Sequence, residues 1–333
     1  MQHWKRFAWA AVAPACMSVP AFANDSEAAV GVGGLTLVES KDISLDYEDL
    51  YISVEEVRVR YRFTNHSKRD IKTLIAFPLP PHVEDYDGVY RFPRERLEFK
   101  TTINGTPVKY DIVDVPTIDG RNVSALLRKH GWDVKLGNEP EHHRFLDKLG
   151  KSEVDAAIKD GLVRRYGSSV IPLWSIQTNI TRKQIFPAGK TVAVSHQYKP
   201  VIGGSAGGGL SASVRNMEGG SGQYYRDDYC TDKDFLTSFD RKYTQLRKAH
   251  PGSISYTETW LSYILSSGAN WKGPIKDFRL VVDKGEADKL VSFCMDGVKK
   301  ISPTQFEVRK KNFEPERDLN ILIVNWHKPV ADK

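Results

Sequence analysis

Cysteine is scarce in this chain: Cys16, Cys230 and Cys294 are the only three in 333 residues. There is no C-x-x-C and no H-E-x-x-H, so the commonest zinc-binding spacings are missing and no metal site is expected. Long apolar runs are missing too. Beyond the first 23 residues no stretch approaches ~20 uninterrupted apolar residues, which excludes a membrane-spanning helix from the body of the chain. No repeat recurs at a period of about 20 to 50 residues, against a solenoid or propeller. Charge of one sign is also thin. The formal net charge is +6, too mild an excess to point to nucleic acid, which usually meets a clustered basic face. No motif for a cofactor is present.

What is there begins with an export signal. Lys5 and Arg6 precede the uncharged apolar run Phe7 to Met17, and Ala21-Phe22-Ala23 places small residues where a signal peptidase reads. Cleavage is expected after Ala23, giving a periplasmic or secreted protein. Cys16 leaves with this leader, and Cys230 and Cys294 remain in an oxidising compartment. A disulfide between them is favoured over two separate buried thiols. It would close a loop of about 65 residues and stabilise the fold by roughly 4 kcal/mol in the chain-entropy picture.

The body of the chain reads as mainly β. In Val57 to Phe63, Val57, Val59, Tyr61 and Phe63 alternate with Arg58, Arg60 and Arg62, the period of two of a half-buried strand. Thr64 to Arg69 is turn chemistry, and Ile71, Thr73, Ile75 and Phe77 resume the alternation, so a hairpin with one apolar face is expected. Short strands are also expected at Leu35 to Val38, Ile43 to Tyr47 and Leu50 to Val54. Asn104-Gly105 joins Arg96–Ile103 to Val108–Val115 with the strongest hairpin dipeptide in the chain.

Helical signals interrupt the strands at about 139–166, where Ser152-Glu153-Val154-Asp155 resembles a capping box. They return at about 231–249, where Phe235, Phe239, Tyr243 and Leu246 share one face. The expected architecture is an antiparallel β-sandwich over 24–203 with a helical insertion, a Gly/Ser-rich loop at 204–223, and a β-rich module over 224–333 carrying one long helix.

Three blocks, GGLTLVESKDISLDYEDLYISVEEVRVRYRFTNHSKRDIKTLIAFPLP, FPAGKTVAVSHQYKPVIGG and ANWKGPIKDFRLVVDKGEADKLVSFC, resemble the exported bacterial family known as domain of unknown function 4424. That resemblance implies neither an activity nor catalytic residues. More loosely, Tyr61-Arg-Phe-Thr-Asn65, Phe77-Pro-Leu-Pro80 and Ile103-Asn-Gly105 are similar to the vault and inter-alpha-trypsin type of β-sandwich module, a likeness of fold only.

Candidate chemistry is sparse. Gly203-Gly204-Ser205-Ala206-Gly207 matches G-x-S-x-G, but Gly208-Gly209-Leu210-Ser211 is a poor helix start, so a loop is the better reading than a nucleophile elbow with His196 or His250 as base. Glu141-His142-His143 lies on a short helix, where neighbours diverge too far to share one ion. Asp85-Tyr86-Asp87-Gly88 starts like a calcium loop and lacks its later ligands. Trp260, Tyr263, Trp271 and Trp326 either line a sugar groove or fill a core.

The arginine row is the candidate binding feature. Arg58, Arg60 and Arg62 stand about 7 Å apart on one face, suited to an anionic envelope polymer or an envelope protein, unless Asp42, Ser44 and Asp46 on a nearby strand neutralise them. The function expected is non-enzymatic binding outside the cytoplasm. A periplasmic serine hydrolase centred on Ser205 and a carbohydrate-recognition module are the alternatives.

Overall fold

A computed structural model describes residues 24–31, 34–80, 97–133, 145–251 and 255–327. The leader, Asp85 to Gly88 and Glu141 to His143 lie outside them. The chain begins with β1 (Ser26–Gly31), β2 (Gly34–Val38), β3 (Ile43–Ile52), β4 (Val57–Asn65) and β5 (Ile71–Pro78). Next come β6 (Lys100–Ile103), β7 (Thr106–Pro107), β8 (Asp111–Ile118) and β9 (Arg121–Asn122), followed by the helices α1 (Ser124–Lys129) and α2 (Lys151–Lys159). β10 (Val163–Tyr166), β11 (Ser169–Pro172), β12 (Ser175–Phe186), β13 (Thr191–Tyr198) and β14 (Ile202–Ala206) lead to α3 (Ala212–Arg215), α4 (Gly222–Tyr229) and α5 (Lys233–Ala249). The last strands are β15 (Tyr256–Tyr263), β16 (Ile275–Asp283), β17 (Leu290–Phe293), β18 (Lys299–Lys300), β19 (Gln305–Phe313) and β20 (Leu319–Trp326).

The fold is mainly β. An eight-stranded sheet runs β18-β19-β16-β3-β4-β13-β6-β7, a six-stranded one β2-β1-β5-β12-β8-β9, and a four-stranded one β14-β15-β20-β17. One core joins all three. Val59, Tyr61 and Phe63 from the large sheet meet Ile75, Phe77 and Phe186 from the second and Tyr263, Ile321 and Ile323 from the third. The expected division between 24–203 and 224–333 does not fall at a break in this core. β16 lies beside β3 in parallel register, Leu280 opposite Leu50, so both stretches build one sheet. A smaller core, with Leu127, Trp132, Ala157, Leu162 and Trp174, surrounds α1 and α2.

Local chemistry accounts for most boundaries. β4 alternates as expected, with Val57, Val59, Tyr61 and Phe63 buried, but it forms no hairpin with β5: β4 pairs with β3 and β13, whereas β5 crosses to the six-stranded sheet and pairs with β1 and β12. Asn104 and Gly105 both take positive φ, 51° and 81°, which a two-residue turn between twisted strands requires. The strand after that turn is shorter than expected, however. β7 holds only Thr106 and Pro107, and the chain then crosses to pair Ile112 and Val113 with Ile180 and Asn179 of the other sheet. The N-cap of α5 is Asp232, whose side chain accepts from the Phe235 amide at 2.7 Å.

β3 replaces two expected strands. Its register shifts between Leu45 and Tyr47, so one extra residue, Asp46, reverses which parity faces inward. Ile43 and Leu45 are buried before the bulge, and Glu48, Leu50 and Ile52 after it.

Residues 203–222 also differ from the expected loop, because glycine lets this backbone lie against its neighbours. β14 pairs with β15, and a side chain on Gly208 would collide with the carboxyl of Glu258. Glu258 accepts from the Tyr225 hydroxyl at 2.5 Å, the Gly209 amide at 3.1 Å and Trp260 Nε1 at 3.1 Å. Cys230 and Cys294 are joined, with Cα atoms 5.0 Å apart. The bond ties the turn between α4 and α5 to the end of β17.

Candidate functional site

The bulge in β3 determines what the arginine row faces. With the parity reversed, Arg58, Arg60 and Arg62 lie opposite Tyr51, Asp49 and Tyr47, and not opposite Asp42, Ser44 and Asp46. Asp46 is turned to other partners, accepting from Ser44 at 2.7 Å and Lys276 at 2.7 Å. The expected neutralisation of the row by that acidic stretch is therefore absent.

Two of the three guanidinium groups stack on tyrosine. Arg58 lies 4.4 Å above the ring of Tyr51 and Arg62 4.4 Å above that of Tyr47. Stacking holds the planar group in place and leaves its edge N–H groups free to donate. Arg58 Nε is also 2.9 Å from Glu56 Oε1, although without hydrogen-bond alignment. Arg60 is different. Its register partner Asp49 pairs with Arg279 at 2.9 Å, and among the described residues no hydrogen bond or ion pair engages Arg60 itself.

The row sits within a wider basic face. The pairings place Lys100 to one side of it, through Gln197, and Arg279, Arg309 and Lys311 to the other. Acids on this face include Asp46, Asp49, Glu56, Asp277 and Glu307, which pair with Lys276, Arg279, Arg58, Lys311 and Arg279 or Arg309, and Asp283, which accepts from Tyr51 and Gln305. The Arg279 guanidinium is raised further by its hydrogen bond to Glu307 and by Asp49. Asp49, Tyr51, Arg58, Arg60, Arg279, Val281 and Gln305 line a concavity of about 260 Å³. Such a face can present several N–H forks to carboxylate, sulfate or phosphate groups.

The remaining candidates go elsewhere. Ser205 lies within β14 opposite Glu258, so the sharp strand-to-helix turn of a nucleophile elbow is absent around it. His196 is buried on β13 against Asp25, and His250 caps the end of α5. Tyr263 and Trp271 are 1% and 3% exposed and belong to the main core. Trp260 and Trp326 are partly buried around α5. No group of three or more potential metal ligands occurs among the described residues, and no helix among them is long and apolar enough to cross a membrane.

A buried polar cluster went unread in the sequence. Arg182 donates to both oxygens of Asp25, at 3.0 and 2.5 Å, and His196 Nε2 lies 3.2 Å away. Burial alone would raise the Asp25 carboxyl, but Arg182 and His196 overcome it and hold the group well below the usual range. Burial pushes His196 down despite Asp25. Tyr61 and Tyr263 donate to Asn24 Oδ1, and Asn24 Nδ2 donates to Glu48 at 3.0 Å. One signal was available: His196 falls on the inward parity of Val192, Val194 and Tyr198, where a lone polar residue needs a partner.

No curated protein matches the chain in sequence. Among solved structures, a protein of Legionella pneumophila provisionally described as nutrient binding is similar at 12% identity and a TM-score of 0.44, over 91% of this chain and 70% of its own. An M1 zinc metallopeptidase of Deinococcus radiodurans is similar at 8% identity and a TM-score of 0.28, over 86% of this chain and 43% of its own. At these scores neither neighbour bears on the activity of this chain. The family model described as Domain of unknown function (DUF4424) matches residues 23–322, and the chain belongs to that family.

Proposed function

We propose that this is an exported, non-enzymatic binding protein that holds an anionic envelope polymer or an acidic envelope protein on the outer face of its large sheet. The observation that carries the reading is Arg60, exposed between two tyrosine-stacked arginines while its cross-strand acid is taken by Arg279. Arginines about 7 Å apart along one strand suit a ligand with repeated anionic groups. Export is supported by the leader-like first 23 residues, and the disulfide fits an oxidising compartment.

The test is retention on an immobilised anionic polysaccharide, eluted with a salt gradient. The triple variant Arg58→Gln, Arg60→Gln, Arg62→Gln should elute at clearly lower salt than the native protein with an unchanged melting temperature. Equal retention would remove this face as the binding surface.

A further inference from the structure

Asn24, Asp25 and Ser26 are 0, 1 and 0% exposed, an unusual burial for the residues at which an exported chain would start. Beside them Glu48 is 0% exposed as well. Its Oε2 accepts from Asn24 Nδ2 at 3.0 Å, while its Oε1 has no hydrogen-bond partner among the described residues.

The charges around this carboxyl do not balance. Arg182 is spent on Asp25 in a two-armed pair. Burial keeps His196 neutral. The hydroxyls of Tyr61 and Tyr263, held far above their ordinary range by burial, donate to Asn24 Oδ1 and not to Glu48. Two carboxyls therefore share one cation, and burial together with the Asp25 charge pushes Glu48 up to about 8. A buried carboxylate is retained when a cation or a full set of donors meets it.

We propose that removal of the leader supplies the missing cation: hydrolysis of the Ala23–Asn24 bond leaves an α-ammonium group on Asn24 that pairs with Glu48 inside the core. Water adds across the peptide bond, Ala23 departs with the leader as a carboxylate, and the nitrogen stays on Asn24 and takes up a proton. Covalent geometry keeps that nitrogen within about 5 Å of its own side-chain Nδ2, which already touches Glu48. Before cleavage the same nitrogen is a neutral amide. The fold is then completed only after export, and the inference rests on that reading of the leader.

The pH dependence follows from the sign of the shift. Without the ammonium, Glu48 titrates higher in the folded than in the unfolded chain, so its contribution is full in acid and is lost as pH rises through about 8. With the ammonium in place this loss at neutral pH disappears.

The experiment expresses the full chain with its leader and reads the intact mass of the exported product. A start at Asn24 is expected; a start at another residue overturns the inference alone, and no processing overturns the export reading with it. The processed protein is next acylated at about pH 8 with an N-hydroxysuccinimide ester, and the N-terminal peptide is followed by mass spectrometry. Ion pairing should leave the native α-amine at least about tenfold less reactive than in urea, and Glu48→Gln should restore most of that reactivity. Native reactivity equal to the unfolded rate, or protection unchanged in Glu48→Gln, overturns the pairing while leaving the export reading intact. If the variant does not fold, the pH profile of acylation in the native protein decides. An α-amine titrating above its ordinary range of about 7.7–8.0 supports the pair, and one within or below that range overturns it.

Discussion

Asp25 receives both arms of the Arg182 guanidinium at 3.0 and 2.5 Å, in a core where neither residue is more than 3% exposed. Asp25→Asn would leave Arg182 buried without its counter-charge and should cost about 3–5 kcal/mol in urea unfolding at neutral pH. Asp25 titrates lower folded than unfolded, so its contribution is present above the ordinary carboxylate range and is lost as pH falls through the folded value. The gap between wild type and variant should therefore narrow in strong acid. A loss below about 1 kcal/mol at neutral pH would mean the pair is structurally neutral.

Arg58 and Arg60 differ in what they already hold. Arg58 is engaged by Tyr51 and Glu56, whereas Arg60 faces solvent. Arg60→Gln should lower the salt needed for elution from an anionic polysaccharide more than Arg58→Gln does. Neither should move stability by much more than about 0.5 kcal/mol. The reverse order in the elution gradient would count against Arg60 as the ligand's main contact.

Gly208 has φ +47° and its missing Cβ faces the carboxyl of Glu258. Gly208→Ala should destabilise by about 1–3 kcal/mol through the clash and the left-handed backbone. In a Glu258→Ala background the same change should cost less, since the obstructing group is gone. Additive losses in that double-mutant cycle would show that Gly208 and Glu258 do not constrain each other.

The Cys230–Cys294 bond closes a loop of 64 residues' separation. Reduction, or replacement of both by serine, should lower stability by up to about 4 kcal/mol, read as a fall in the urea midpoint with and without reductant. An unchanged midpoint would place the constraint in the packing of α4 against β17 and β20, not in the bond.

Much of the fold is legible because it is local. The alternation of valine and arginine in β4 needs only the two-residue period of a strand, and Asn104-Gly105 needs only the freedom of both residues to take positive φ. The arginine row was legible for the same reason, but its neighbours were not. Asp42, Ser44 and Asp46 have the right spacing to face it, and one extra residue at Asp46 turns the following stretch over. A bulge leaves almost no trace in composition, since what selects it is the fit of both halves of β3 against the same core.

The buried cluster was hidden differently. Asn24, Asp25, Glu48, Arg182 and His196 are ordinary surface residues by type, and only long-range packing brings Glu48 to Asn24, and Arg182 and His196 to Asp25, within hydrogen-bond distance.

By itself the amino-acid order determined a mainly β chain, the two faces of β4 and the partnership of its two body cysteines, because each follows from neighbours along the backbone or from a choice of one pairing. Tertiary structure alone decided that β16 lies beside β3, that both halves share one core, and that Glu48 ends up inside next to Asn24. Those outcomes depend on burial competing among residues far apart in the chain, which no local period records.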